Sequence, residues 1–343
     1  MNIKRKIPYI VLFVFATSLL LLSASHISED VAVWMNFRVC SRVRGFLANL
    51  TSKIQISLFE VLVLISPLLL FLTVRYVCRN EKQVRMRFFR VLSFLTLLPS
   101  LYILTLGIPY KAPLLFSEYN KIPNADDVFY TAKILCDEVN KNAREIEALP
   151  TLRQISSLLS TSYKAVSGKY EVRVESLPTP KPLITSRAMS YIGTLAFYSF
   201  PTGEVNINVD IPSYMIPFTV AHELAHCVGV ASEGEASFLA YLVSSESENP
   251  YIRYSASLSV LELILSDVKR IDKDEYLKIY DELPARALSD IADYRKYSEK
   301  YYGSFTYRAS EKINSMHLEV SDRMGKASYS ALSRYVTNYI ISA

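Results

Sequence analysis

Histidine is scarce in this chain, with four among 343 residues, and cysteine is equally rare. Cys40, Cys78, Cys136 and Cys227 stand far apart, so they make neither a spaced thiolate pair for a metal nor a disulfide framework. In the topology derived below, Cys78 lies across the membrane from the other three, which leaves room for at most one bridge. Cysteine is also missing just after the first apolar run, where a lipid anchor would need it. There is no internal repeat and no low-complexity tract, which excludes solenoids and long biased linkers. The net charge of +5 is not the footprint of a nucleic-acid binder, because residues 1–110 carry +9 and the remainder −4.

Against that scarcity, two histidines fall in one turn. His222-Glu223-Leu224-Ala225-His226 reads HExxH. Positions four apart stack on one face of a helix, so both imidazoles can grip one ion while Glu223 points at its open side. The plainer reading, an ordinary amphipathic helix, does not explain why half of the chain's histidines bracket a glutamate. Pro217 suits a first helical turn and Gly229 a left-handed terminus, which predicts a helix over residues 217–228. A second helix is predicted over 232–244, with Ser232 as N-cap and Glu235 as its capping-box partner.

Catalytic zinc sites usually have three protein ligands, and the acidic pair Glu233 and Glu235 is the nearest source of the third. Glu233 shares a face with Ala236, Ser237 and Ala240, whose small side chains allow close packing on the histidine helix. Glu235 lies instead with Phe238, Leu239 and Leu242. Glu233 is therefore the favoured ligand and Glu235 the alternative. Without any metal, Glu233 would complement the helix dipole and Glu235 would serve as the capping-box partner.

The stretch from Gly203 to Leu242, with Ser176–Ser190 before it and Tyr251–Ser255 and Gly325–Val336 after it, resembles the bacterial multi-pass membrane proteins of domain-of-unknown-function family 3810. That family resembles in turn the glutamate-type zincins, whose third zinc ligand opens an E-x-x-A-D or E-x-x-A-N pattern. The pattern falls here on Glu233-Gly234-Glu235-Ala236-Ser237, with serine where an acid or amide is usual. The resemblance implies a peptidase-like fold and brings no substrate with it.

Apolar runs at 7–24, 54–74 and 88–108 predict three transmembrane helices. The first could also be read as a cleaved signal peptide ending near Ser25. Arg75, Arg79, Lys82, Arg85, Arg87 and Arg90 face a single Glu81 between the second and third runs, which places that loop in the cytoplasm. The N-terminus is then cytoplasmic and everything after Tyr110 extracytoplasmic, in a bacterial inner membrane. Pro67 and Pro99 predict kinks within their runs. Glu60, near an end of the second run, either reaches the interface or serves as an intramembrane acid. Val31–Leu50 interleaves Trp34, Phe37 and Phe46 with Arg38, Arg42 and Arg44. Two readings stay open for it: a helix lying on the membrane surface, or a connecting helix packed on the soluble domain.

The expected fold is α+β and mainly α: a membrane region over 1–110, then a zincin-like zinc-peptidase domain over 111–343. That domain has a small sheet, with strands over 170–176 and 203–211, and a helical lobe over 251–343. Asn124 caps a helix from Ala125 to about Leu149. The 203–211 strand should offer a free edge to an extended peptide, with Asn206 and Asn208 on its exposed face.

The expected function is a membrane-anchored zinc metallopeptidase. One Zn²⁺ is held by His222, His226 and Glu233, a zinc-activated water is the nucleophile, and Glu223 is the general base. Tyr254, Arg253 and His317 are the candidate donors to the oxyanion. The expected partners are the lipid bilayer and a peptide or protein substrate at the outer membrane surface. The competing readings are a catalytically inactive zincin-like protein that binds an envelope partner, and a structural zinc scaffold.

Overall fold

An apolar run behind Lys4, Arg5 and Lys6 makes most of the first helix, α1 (Ile3–Ser25), and two further apolar helices follow before the chain turns polar. The structure, a computed structural model, describes residues 3–79, 81–170, 172–174, 176–322 and 331–342. Lys6–Ser25, Leu58–Cys78 and Val84–Gly107 are each long and apolar enough to cross a membrane.

Only three residues after α1, a helical rod begins: α2 (Glu29–Met35), a π-helical turn (Asn36–Cys40) and α3 (Ser41–Thr51). One face of the rod, Ala32, Asn36, Cys40, Arg44 and Ala48, is buried, while Trp34, Arg38, Arg42, Phe46 and Leu50 are exposed. The reading of a connecting helix packed on the soluble domain describes the buried face, and the aromatic and arginine side chains of the other face are left exposed.

The second apolar helix, α4 (Leu58–Cys78), starts four residues later than the hydropathy predicts, and its caps explain why. Ser57 Oγ accepts the Glu60 N–H at 3.0 Å, and the Glu204 carboxylate accepts the Leu58 and Phe59 N–H groups, both at 3.0 Å. Glu60 in turn accepts the Ile184 and Thr185 N–H groups at 3.0 and 2.6 Å, so it is a structural anchor. The third apolar helix is divided into α5 (Val84–Leu95) and α6 (Leu97–Tyr102). The division falls at Thr96, next to the Leu95 carbonyl that the ring of Pro99, four residues on, displaces from helical bonding.

The polar part of the chain is built from α7 (Ala125–Glu145), α8 (Leu152–Ser167), β1 (Lys181–Pro182), α9 (Ser186–Tyr191), β2 (Ala196–Ser199) and β3 (Glu204–Ile207). It continues with α10 (Met215–Val228), α11 (Glu233–Ser245), α12 (Pro250–Ile271), α13 (Lys273–Asp281), α14 (Ala285–Tyr301), α15 (Phe305–Ser321) and α16 (Ala331–Ser342). Asn124 accepts the Asp127 N–H at the start of α7, and Thr151 with Gln154 closes a capping box on α8. Buried side chains of α7, α8, α10, α11, α12 and α16 form one continuous core, each fully buried Leu, Ile, Val or Phe contributing roughly 1.5–3 kcal/mol. All four cysteines are free thiols.

The sheet corrects two expectations. Residues 172–174 form no strand, Glu171 and Glu175 lie outside the described residues, and the strand of this region is β1. The strand order is β1-β3-β2, parallel between β1 and β3 and antiparallel between β3 and β2, so β3 is central and has no free edge. Asn206 and Asn208 are buried, not exposed. Asn208 is consumed internally, donating to Ser190 Oγ and Thr194 O and accepting from the Asp210 N–H. The alternation of Val205 and Ile207 mimics a half-exposed strand because the second face, Glu204, Asn206 and Asn208, is buried as well by elements brought from elsewhere in the chain.

Candidate metal centre

α10 carries the histidines and α11 returns alongside it. Gly229 sits between them at φ +102°, the left-handed conformation that ends a helix and favours glycine. A Cβ there would come within 2.4 Å of Arg44 Nη2 and 2.6 Å of Asn36 Oδ1, so the turn is closed by the rod between the first two apolar helices. Asn36 Nδ2 donates to the Gly229 carbonyl at 2.9 Å and Arg44 Nε to the Cys227 carbonyl, also at 2.9 Å. Arg44 also donates to Thr105 O at 3.2 Å and Asn36 Oδ1 at 3.0 Å. The C-terminal carbonyls of the histidine helix, which a helix leaves unpaired, are thus satisfied from the membrane-proximal region.

The turn brings one acid onto both imidazoles. Glu233 Oε2 is 3.1 Å from His222 Nε2 and Oε1 is 3.6 Å from His226 Nε2, with the two rings edge to face at 4.8 Å. A tetrahedral ion with bonds of about 2.0–2.1 Å would place neighbouring donor atoms about 3.3 Å apart. One donor atom from each of the three residues can be chosen so that all lie within 4.8 Å of one another, a set that could hold a metal ion.

The outer nitrogens of both rings are occupied. His226 Nδ1 lies 2.8 Å from the Val230 carbonyl, which can only accept, so this nitrogen donates and Nε2 is the ring atom that faces Glu233. His222 Nδ1 lies 3.0 Å from Ser237 Oγ. Ser237 holds the position where the sequence pattern usually has an acid or amide, and its shorter side chain still reaches the ring.

Glu235 does something else. It is buried, and one carboxylate oxygen accepts the Phe116 N–H at 2.7 Å. The predicted capping box is not formed, since Ser232 makes no side-chain cap on its own helix. The cap comes from Asp322, which accepts the Glu233 N–H at 3.1 Å and the Ser232 hydroxyl at 3.4 Å. No local pattern could have revealed a cap supplied from a point some ninety positions downstream.

Glu223 is buried beside the triad. Burial pushes its carboxyl up to about 7; His226 and the backbone N–H of Tyr198 pull it down, and the Glu233 charge adds to the rise. Tyr198 belongs to β2, an edge strand that the sequence reading missed because four residues, Ala-Phe-Tyr-Ser, show too little alternation. Residues of β2 line the same cleft of about 870 Å³ as His222, Glu223, His226 and Glu233.

The sequence of the family described as "Protein of unknown function (DUF3810)" is matched over residues 38–337. The chain belongs to the DUF3810 family. No curated protein and no solved structure matches it. The DUF3810 match takes in the second and third apolar helices together with α10 and α11, so Arg44, the histidines and Glu233 all lie within the family's common length.

Two of the expected oxyanion donors of this DUF3810 protein are engaged elsewhere. Tyr254 is fully buried and donates to Asp290 at 2.6 Å. Arg253 spans to α7, donating to Asn142 Oδ1 and Glu145 Oε2, both at 2.8 Å. Neither lines the cleft. The side chain of His317 lies outside the described residues. Polar groups that do line the cleft include Tyr110, Thr194, Thr219, Ser259 and Asn314.

Proposed function

We propose that this protein is a membrane-anchored zinc metallopeptidase whose domain faces the extracytoplasmic side and whose substrate is a polypeptide. The observation that carries the reading is the placement of Glu233 against both HExxH imidazoles, with the buried Glu223 carboxyl in the same cleft. His222, His226 and Glu233 would hold one Zn²⁺. When bound, it would supply Lewis acidity, polarising a carbonyl and lowering the pKa of water.

The chain's own groups do the rest. Glu223, with a carboxyl held near neutrality, accepts a proton from the attacking water and returns it to the leaving nitrogen. Ser237 and the Val230 carbonyl keep the imidazoles turned inward. β2, the sheet edge beside the site, can take an extended peptide by backbone hydrogen bonds. The positive charge concentrated between the second and third apolar helices supports the orientation.

The test is Glu223→Gln in the purified, zinc-loaded protein, assayed by mass spectrometry on a randomised peptide library. Zinc content should match that of the parent, and hydrolysis should fall by about 10²–10⁴-fold. A variant that binds zinc and cleaves as the parent does would remove the general base. Absence of cleavage by both proteins would favour a zinc-bearing binding protein.

A further inference from the structure

The cleft that holds the triad is not walled by the polar domain alone. Phe59, the second residue of α4, lines it, as do Leu106 from the end of the third apolar helix and Tyr110 from the turn just after it. The joint is tightly built. Glu204 of β3 takes the first N–H groups of α4, Glu60 of α4 takes those of Ile184 and Thr185, and the buried Lys181 ammonium pairs with Glu204 while donating to Thr51 O. Phe59 packs edge-on against Phe197 of the edge strand at 5.1 Å between centroids. Buried, charged contacts therefore tie the start of a membrane-length helix to the sheet whose edge strand lines the same cleft as His222, His226 and Glu233.

We propose that, if the metallopeptidase reading holds, its substrate is a bilayer-anchored polypeptide, cut in the short segment that leaves the lipid beside α4. Three observations carry this. The cleft includes the domain-side ends of two apolar helices, so a chain emerging from the bilayer next to them meets the cleft first. The α4 window has none of its residues buried, leaving its flank open to a neighbouring helix in the lipid. The walls beyond the triad are mainly apolar, with Met189, Ile192, Leu195, Phe218 and Leu263 beside a few uncharged polar groups, which suits the side chains that flank a membrane anchor.

The cleft also acts as a ruler. A cleft of about 870 Å³ is about 10 Å across, and an extended chain covers about 3.3–3.6 Å per residue, so about three residues cross it and the scissile bond should lie within the first few residues after the anchor.

The experiment uses the zinc-loaded full chain in lipid nanodiscs. Its probe is a polyleucine helix followed by about thirty randomised residues, compared with the same segment free of any helix. Randomisation makes every position alike in composition, and co-tethering raises the local concentration of all bonds together, so the position of the cut is the informative readout. Cuts confined to the first few residues after the helix, with the free segment cut about tenfold more slowly or more, are the expected result. Cuts spread along the anchored segment, or equal rates on the free one, would overturn the proposal and leave the peptidase reading standing. No cut in either probe, with Glu223→Gln indistinguishable, would remove both.

Discussion

Arg44 donates its Nε–H to the carbonyl of Cys227 across 2.9 Å, so a residue placed between the first two apolar helices closes the helix that carries both histidines. The guanidinium is fully buried and reaches Thr105 at the end of the third apolar helix as well. The apolar-helix region and the histidine helix thus share a polar joint, and a joint of this kind is costly to leave half made.

Removing the joint should loosen the fold and the site together. Arg44→Met keeps the bulk and strips the donors from three carbonyls, for an expected loss of about 2–4 kcal/mol. Gly229→Ala places a Cβ against Arg44 and Asn36 at a left-handed φ and should cost about 1–3 kcal/mol. The double variant should lose less than the sum, because both changes act on the same contact. Thermal unfolding in detergent, with zinc content measured in parallel, reads all three.

Ser237→Ala removes the partner of His222 Nδ1. Metal affinity should fall about 10–100-fold, the usual effect of losing a hydrogen bond behind a ligand. Competition against a coloured chelator measures it. Ser237→Asn, which restores an amide oxygen at this place, should recover most of the affinity, whereas a purely packing role for Ser237 would show no such rescue.

The two acids of α11 should separate cleanly. Glu233→Ala removes the carboxylate beside both imidazoles and should abolish stoichiometric zinc binding. Glu235→Ala leaves those distances alone but orphans the buried Phe116 N–H, for a loss of about 1–3 kcal/mol of stability with zinc retained. Metal analysis together with unfolding curves decides, and the reverse pattern would make Glu235 the ligand.

Trp34 is the sole tryptophan, and it is 58% exposed on the outward face of the rod with Arg38, Arg42 and Phe46. Aromatics flanking arginines, a few residues from two apolar helices, fit the headgroup boundary of a bilayer. In nanodiscs, Trp34 emission should be quenched by brominated lipid and spared by aqueous iodide. Quenching by iodide alone would lift this face off the membrane.

Much of the site was written locally. HExxH, the Gly229 terminus and the small-residue face of Glu233, Ala236 and Ser237 all follow from helical periodicity, which a sequence displays directly. The free edge was assigned to the wrong strand for the same reason: alternation in β3 is visible, but whether a strand is central or at an edge depends on neighbours brought from β1 and β2. Tyr254 and Arg253 were chosen by residue type alone, and their partners Asp290 and Asn142 come from other helices.

Hydropathy, charge asymmetry and one five-residue motif were enough to mark three apolar helices and a pair of inward-facing imidazoles, because each rests on spacing along a single element. Which acid joins them, what caps α11, and how Arg44, Glu60 and Glu204 bind the apolar helices to the domain were settled only in three dimensions. Those contacts pair residues far apart in the chain, and a buried charge finds its partner through the packing of whole elements rather than through any local pattern.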